Sequence, residues 1–264
     1  MPDDLPSLAS VPTAPIAFFE GPHGRLAYRL RQPASLREGA PTLVWLAGFK
    51  SDMEGGKAVH LDGVSDAAGA RYLRFDYSGH GQSAGRFEDG TIGAWTADAR
   101  ALIEAVTSGP LVLVGSSMGG WIALLLALAL KERVAGLTLI APAPDFTETR
   151  IWNHLDAAAR NALENEGVFH APSDYSDEPY VITRRLIEDG RKHLLLQRPI
   201  SIPAPVRILQ GMLDTDVEWR QALLIAERLT GEDVTVTLLK SGDHRLSTPD
   251  NLALLGETVT SLLG

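Results

Sequence analysis

Serine, aspartate and histidine occur in this chain in positions that suit nucleophilic catalysis. Ser117 is the central residue of Gly115-Ser116-Ser117-Met118-Gly119, a G-x-S-x-G pattern. The pattern follows the apolar run Leu111 to Val114 and precedes a helix-like stretch from Gly119 to Leu130. A serine hydroxyl is a weak nucleophile at neutral pH, so it needs a base to take its proton and a carboxylate to orient that base. The pattern therefore indicates acyl transfer to a serine.

The turn at Ser117 needs small neighbours. A strand that runs directly into a helix forces the residue between them through a tight turn, in which bulky side chains would block the close approach of the two backbones. Gly115, Ser116, Gly119 and Gly120 meet this need. The alternative is that the short pattern arises by chance and that Ser117 only caps the helix.

The proton-transfer partners follow two later strands. The apolar run Val206 to Gln210 is followed by Gly211-Met212-Leu213-Asp214, and the run Val234 to Leu239 is followed, after a short loop, by His244. His244 would take the serine proton and return it to the leaving group. Asp214 would hold the imidazole in the required tautomer.

Other residues compete for these roles. Asp216 is an alternative acid, although it also suits the N-cap of a helix-like stretch from Val217 to Leu229. Asp243 is adjacent to His244 and is expected to be a loop or capping residue. His80 precedes Ser117 in the chain and is expected to shape the site or its rim. The remaining histidines have no companion at metal-ligand spacing, so neither a metal nor a cofactor is expected.

The oxyanion of a tetrahedral intermediate requires backbone N–H donors. Met118, directly after the nucleophile, is expected to provide one. Phe49, which follows Gly48 after the strand-like run Thr42 to Ala47, is expected to provide the other.

These segments together resemble the α/β-hydrolase superfamily. Its D-x-x-G-x-G-x-S segment is matched within Arg74 to Ser83, and the elbow, acid and histidine motifs follow in order, so the resemblance covers residues 16 to 262. The chain is most similar to mitochondrial acyl-glucuronide esterases that are also palmitoyl-protein thioesterases, and to their bacterial relatives. The resemblance implies Ser117 as nucleophile, Asp214 as acid and His244 as base, with a thioester or activated ester as substrate. Many members have His-Gly where this chain has Ala47-Gly48, so the role of Phe49 is less directly implied than that of Met118.

The expected fold is α/β, with a mostly parallel eight-stranded sheet and helices on both faces. Residues 16–264 are expected to form one domain after a flexible segment, residues 1–15. An insertion at about 144–204 is expected to form a small helical lid, with helices around Glu148 to Glu166 and Glu178 to Asp189. Trp152, Tyr175 and Tyr180 are candidates to line a substrate pocket, or else they anchor the lid to the core.

Composition limits the partners. The 264 residues carry a net charge of −9, which disfavours nucleic acid and anionic membrane surfaces as partners. The longest apolar stretch, Trp121 to Leu130, is too short to span a bilayer. Cysteine is absent, and residues 1–15 contain no arginine, so no transit peptide is expected and the expected location is the cytoplasm.

The sequence thus predicts a serine hydrolase that cleaves carboxylic esters or acyl thioesters through an acyl-enzyme, without a cofactor. Its substrate is expected to be a small-molecule ester or thioester, or an acylated protein. An amidase, peptidase, lactonase or C–C bond hydrolase would use the same three residues. A non-catalytic ligand-binding protein on the same scaffold is the alternative from another class. The oligomeric state is not predicted.

Overall fold

The computed structural model describes residues 13–171 and 179–264, in which ten strands and seven α-helices are found. The predicted N-terminal segment, apart from residues 13–15, lies outside the described residues. The strands are β1 (Ala17–Gly21), β2 (Gly24–Arg31), β3 (Thr42–Leu46), β4 (Tyr72–Phe75), β5 (Leu111–Ser116), β6 (Val134–Ile140), β7 (Val168–Ala171), β8 (Tyr180–Thr183), β9 (Val206–Gly211) and β10 (Val234–Leu239). The helices are α1 (Gly56–Ala67), α2 (Ile92–Val106), α3 (Met118–Ala129), α4 (Ala157–Asn165), α5 (Arg184–Gly190), α6 (Arg220–Arg228) and α7 (Pro249–Leu263).

Eight strands form one sheet in the order β1-β2-β4-β3-β5-β6-β9-β10. The pairs β1–β2 and β2–β4 are antiparallel, and the remaining pairs are parallel. The predicted mostly parallel eight-stranded sheet is therefore confirmed. In a parallel sheet the carboxyl ends of the strands lie along one edge, so the loops after β3, β5, β9 and β10 are brought together there.

The centre of the sheet is buried on both faces. Every residue of β3, β4 and β5 is buried, which requires cover from both sides. Helix α1 packs against α7, and α2 packs against α3. Helix α3 follows Ser117 directly, and nine of its residues are buried, including Trp121. The nucleophile candidate thus lies between a fully buried strand and a largely buried helix.

The segment between β6 and β9 is only partly helical. Strands β7 and β8 pair antiparallel within it, flanked by α4 and α5. The predicted helix around Glu148 to Glu166 is confirmed only in its second half, because residues 147–154 form a short π-helical turn and a 3-10 turn before α4 begins. The prediction of a helix from Glu178 to Asp189 is wrong over residues 180–183, which form β8; Glu178 itself lies outside the described residues. The segment Tyr180-Val181-Ile182-Thr183 is rich in β-branched and aromatic residues, which favour a strand.

Candidate active site

Ser117 lies between β5 and α3 in a strained backbone conformation. Its φ is 54° and its ψ is −117°, outside the regions that residues with a side chain normally occupy. The residue is partly exposed, whereas its neighbours Ser116 and Met118 are buried. The tight turn therefore holds the Ser117 hydroxyl at the carboxyl end of the central strand β5.

Two glycines make this turn possible. A Cβ added to Gly115 would lie 2.2 Å from the carbonyl oxygen of Gly119, and one added to Gly119 would lie 2.0 Å from the carbonyl oxygen of Leu46. Both distances are far inside van der Waals contact. Glycine is needed here because the strand, the helix and the neighbouring strand β3 pass one another almost in backbone contact.

Ser117, His244 and Asp214 form one hydrogen-bonded line. His244 Nε2 lies 3.1 Å from Ser117 Oγ, and His244 Nδ1 lies 2.8 Å from Asp214 Oδ2. The serine and the histidine are 127 residues apart in the chain, so the parallel sheet alone brings them together. When His244 Nδ1–H donates a hydrogen bond to Asp214, Nε2 is unprotonated and presents its lone pair to the serine hydroxyl.

The Asp214 side chain is fully buried and held by four donors. Its Oδ1 accepts from the N–H groups of Asp216 (2.9 Å) and Val217 (2.8 Å), and its Oδ2 accepts from Gln210 Nε2 (2.9 Å) and from His244. Burial alone would raise the pKa of Asp214, but the hydrogen bond and positive charge of His244 and the other donors outweigh it, so the pKa lies below its ordinary value. Asp214 is therefore fixed as an anion.

Gln210 was not singled out from the sequence. It is fully buried at the end of β9, and besides Asp214 its amide donates to the carbonyl of Val217 (3.2 Å). The available signal was a polar residue at the end of the apolar run Val206 to Gln210, four residues before the candidate acid.

Asp216 and Asp243 have different positions from Asp214. One oxygen of Asp216 lies 3.9 Å from His244 Nε2, whereas Asp214 is bonded to Nδ1. The N-cap of α6 is Trp219, without a side-chain cap, so the prediction that Asp216 caps this helix is wrong; residues 216–219 form the loop that surrounds the Asp214 carboxylate instead. Asp243 Oδ1 accepts from the N–H of Leu246 (2.9 Å), the loop role that its position predicted.

The two predicted oxyanion donors come from loops that meet at Ser117. Met118 is the first residue of α3, so its N–H has no acceptor within the helix. A Cβ on Gly48 would lie 3.6 Å from Ser117 Cβ, which places the Gly48-Phe49 backbone directly beside the nucleophile.

The Phe49 ring joins the core to the insertion. It makes edge-to-face contacts with Phe87 (4.8 Å between ring centroids) and Trp95 (6.0 Å), and also with Phe146 (5.6 Å) and Tyr180 (5.7 Å). Such aromatic pairs are each worth about 0.5–1.5 kcal/mol beyond the burial of their area. The residue that follows Gly48 is thus packed from both sides.

The three pocket candidates fall in different places. Tyr180 contacts the ring of Phe49, the candidate oxyanion residue. Trp152 packs on Leu163, Ile182 and Ile187, the small core of the insertion, and its ring lies under the guanidinium of Arg191 at 4.5 Å. This contact favours the anchoring interpretation for Trp152. Tyr175 lies outside the described residues.

His80 is buried behind the site. Its ring packs edge-to-face on Tyr77, Phe87 and Trp95, and its Nδ1 lies 3.2 Å from the carbonyl oxygen of Ser78. Burial lowers the pKa of His80 to about 4, so the ring is neutral at physiological pH. The His80 ring therefore packs on Phe87 and Trp95, the two rings that Phe49 also contacts.

Asp76, the first residue of the D-x-x-G-x-G-x-S segment, has a scaffolding position. Its carboxylate accepts from the N–H of Met53 (2.7 Å) and of Gln82 (2.8 Å), and its carbonyl accepts from Ser83 Oγ (2.7 Å). It ties the loop after β3 to the loop after β4.

Within the described part of the chain, one group of three side chains has the proximity needed for a metal ion. The group is Asp214, Asp216 and His244, whose candidate ligand atoms lie within 4.8 Å of one another. Both nitrogens of His244 already face hydrogen-bond partners, Asp214 and Ser117.

Comparison with known proteins agrees with this geometry. The model of the alpha/beta hydrolase family matches residues 39–253. The human mitochondrial palmitoyl-protein thioesterase ABHD10 is 36% identical over 239 residues, which are 90% of this chain and 76% of that protein. A putative hydrolase from Agrobacterium vitis superposes with a TM-score of 0.89 at 42% identity, over 95% of this chain and all of that one. Mouse alpha/beta hydrolase domain-containing protein 10 gives a TM-score of 0.85 at 34% identity, over 95% of this chain and 98% of that one.

The prediction of a cytoplasmic location is contradicted by these relatives. Five similar proteins, from cattle, orangutan, human, mouse and rat, are named as mitochondrial. The prediction failed because a lack of cysteine suits any reducing compartment equally well. Among the described residues, no helix is both long and apolar enough to cross a membrane.

The family match spans most of the chain, and two solved structures above 30% identity share its whole architecture. The predicted α/β-hydrolase fold and the hydrolase class are confirmed. This chain belongs to the alpha/beta hydrolase family.

Proposed function

We propose that the chain hydrolyses acyl thioesters and carboxylic esters through an acyl-enzyme on Ser117. The observation that carries the proposal is the line from Ser117 Oγ to His244 Nε2 (3.1 Å) and from His244 Nδ1 to Asp214 Oδ2 (2.8 Å). These distances suit proton transfer from the serine to the imidazole during attack.

In the first half of the reaction, Ser117 Oγ attacks the acyl carbonyl carbon while His244 Nε2 takes the hydroxyl proton. The negative charge that develops on the carbonyl oxygen is met by the N–H groups of Met118 and Phe49. The buried Asp214 anion stabilises the imidazolium, since its lowered pKa keeps it ionised. Collapse of the tetrahedral intermediate breaks the bond to sulfur or oxygen, and His244 returns the proton to the leaving thiol or alcohol.

In the second half, water attacks the acyl-serine with His244 as base. The same donors stabilise the second oxyanion, and collapse releases the acid and restores the Ser117 hydroxyl.

The insertion between β6 and β9 is proposed to act as a lid that shapes the acyl pocket. Tyr180 on β8 and Phe146 contact the Phe49 ring from the insertion, so aromatic rings from this segment pack on the residue that follows Gly48. Aromatic walls favour a long acyl chain or an aryl group over a polar one. Together with relatives named palmitoyl-protein thioesterases, this supports an acyl thioester as the preferred substrate.

A kcat/KM panel tests the proposal, with p-nitrophenyl esters from acetyl to palmitoyl, matched acyl thioesters and one aryl ester, each run beside Ser117→Ala. We expect turnover that depends on Ser117 and rises toward long-chain thioesters. If the folded protein hydrolyses no member of the panel and does not react with a fluorophosphonate, the result would refute the proposal and favour the non-catalytic ligand-binding alternative.

A further inference from the structure

The acidic, glycine-rich segment from Ser51 to Gly56 is fixed in place although the mechanism does not use it. The N–H of Met53 donates to Asp76, and Arg74 donates to the carbonyl of Met53 (2.8 Å) and to the carboxylate of Glu54 (2.9 Å). Glu54 is also paired with Arg29 at 2.7 Å. The segment connects the Gly48-Phe49 loop to α1, which begins at Gly56.

Lys57, the second residue of α1, reaches the loop that carries His244. Its Nζ donates to the carbonyl oxygen of Arg245, the residue directly after His244, and lies 3.2 Å from Ser247 Oγ. The two ends of this contact are 188 residues apart in the chain. Two acceptors on one ammonium group restrict its direction more than one would. The contact therefore holds the start of α1 against the His244 loop.

We propose that Lys57 is a positioning residue for His244. Lys57 holds the loop after β10 so that the imidazole stays in line with both Ser117 and Asp214. The proposal rests on the proposed role of His244 as base. The same loop is closed around His244 by the bond from Leu246 N–H to Asp243 Oδ1 (2.9 Å). Without Lys57 the carbonyl of Arg245 loses its charged donor, and His244 gains freedom to leave the line. A displacement of about 1 Å in a catalytic group can cost on the order of 10²-fold in rate.

The charge of Lys57 changes in an accessible pH range. Burial lowers its pKa to about 8, opposed by the negative charge of Asp243 and reinforced by the positive charge of Arg245. The other nearby acid, Glu54, is paired with Arg29 and Arg74, and on α1 the next titratable group is His60, whose pKa burial lowers. Below pH 8 the Lys57 side chain is an ammonium that donates charged hydrogen bonds to the two loop oxygens. Above pH 8 it is a neutral amine, which is a weaker donor. Activity should therefore fall on the alkaline side as well as on the acidic side.

The lowered pKa of Lys57 also separates a role in positioning His244 from a role in stabilising the fold. The pKa of Lys57 is about 8 in the folded protein and 10.5 as the ordinary value, so between these pH values the unfolded chain binds more protons. Stability therefore rises with pH in that window, and at neutral pH the buried charge opposes folding. Replacing Lys57 by an apolar residue of the same length should lower activity without lowering Tm.

The first experiment measures kcat and KM from pH 5.5 to 10 on one p-nitrophenyl ester, with Ser117→Ala as the blank, for wild type, Lys57→Met, Lys57→Arg and Lys131→Met. Lys131 is a surface lysine paired only loosely with its neighbour Glu132 (4.0 Å), so its variant is the matched control. We expect Lys57→Met to lower kcat at pH 7 by about tenfold or more. Its KM should change little, its Tm should be unchanged or raised, and its alkaline limb should be absent. Lys57→Arg, which stays charged, should recover most of the activity and also lack the limb. Wild-type kcat with an unchanged alkaline limb in Lys57→Met would overturn the proposal.

A second experiment does not depend on turnover. The ring signals of His244, assigned with His244→Gln, are followed by NMR in protein with labelled histidine. In wild type they should show a step near pH 8 that is missing in Lys57→Met and kept in Lys131→Met. That step in a protein that hydrolyses no ester would support the positioning contact while refuting the proposed function. An identical step in Lys57→Met would refute the positioning role even in an active enzyme.

Discussion

One carboxylate oxygen of Asp216 lies 3.9 Å from His244 Nε2, the nitrogen that faces Ser117. Asp214 instead lies 2.8 Å from Nδ1 and is fully buried. Only Asp214 is placed to fix the tautomer that leaves Nε2 free to accept the serine proton. The two carboxylates should therefore differ strongly in their effect on catalysis.

We expect Asp214→Asn to lower kcat by as much as about 10⁴-fold, as for a triad acid replaced by its amide. The matched variant Asp216→Asn should lower kcat by less than about tenfold, because its side chain is one-third exposed and its charge is screened by water. Steady-state kinetics of both variants measure this. A larger loss in Asp216→Asn would reassign the acid.

His80 should make folding sensitive to acid. Its pKa is lowered to about 4 by burial from an ordinary 6.5, so between these values the unfolded chain takes up a proton that the folded chain refuses. Stability should fall as pH drops below 6.5 and level off below about 4, by at most about 3 kcal/mol from this residue. Urea unfolding at pH 7 and pH 5 tests this, since the difference between the two free energies of unfolding should shrink in His80→Phe. Phenylalanine keeps the ring contacts, and the Ser78 carbonyl keeps its bond from Trp95 Nε1 at 3.1 Å. An equal difference in the variant and wild type would show that His80 does not couple folding to pH.

Tyr180 should affect long substrates more than short ones. Its ring lies 5.7 Å from that of Phe49, so Tyr180→Ala removes one aromatic wall of the proposed acyl pocket. We expect kcat/KM for a palmitoyl thioester to fall by about tenfold, the equivalent of an aromatic contact of about 1.4 kcal/mol, with a change of less than about twofold for an acetyl ester. Tyr180→Phe, which keeps the ring, is the control. Equal losses on both substrates would place the effect of Tyr180 on catalysis and not on the acyl pocket.

Gly119 should be intolerant of any side chain. Its added Cβ would lie 2.0 Å from the Leu46 carbonyl, and the atoms concerned are backbone, which cannot move aside. We expect Gly119→Ala to lower the free energy of unfolding by about 1–3 kcal/mol or more and to reduce turnover by displacing Ser117. Gly56→Ala is the control, because no atom lies within 4 Å of its added Cβ. Thermal unfolding of the two variants gives the comparison, and equal Tm values would contradict the close approach.

The sheet and the three aligned residues were accessible from sequence because both rest on local signals. Buried parallel strands give apolar runs of strand length, and the predicted run Val234 to Leu239 agrees with β10 at both ends. Chain order then placed a serine, an acid and a histidine at the carboxyl ends of three strands, which share one edge of the sheet. No contact between distant residues had to be known.

The insertion was less predictable because its structure depends on what it packs against. The strand β8 was read as helix, and its pairing with β7 is fixed by the small core that holds Ile182. The contact between Lys57 and the His244 loop joins two distant segments and leaves no pattern in either one. The N-cap role of Asp216 failed for a similar reason, since the loop is folded around the Asp214 carboxylate.

The most direct test of the account is to trap the covalent intermediate. The protein is mixed with an acyl thioester, quenched with acid within the first turnover, and its intact mass and peptides are measured for wild type and Ser117→Ala. We expect one acyl group on the peptide that contains Ser117 in the wild type, and neither adduct nor turnover in Ser117→Ala at unchanged Tm. Turnover that persists in Ser117→Ala, or an acyl group found on another residue, would contradict the assignment of Ser117 as the nucleophile.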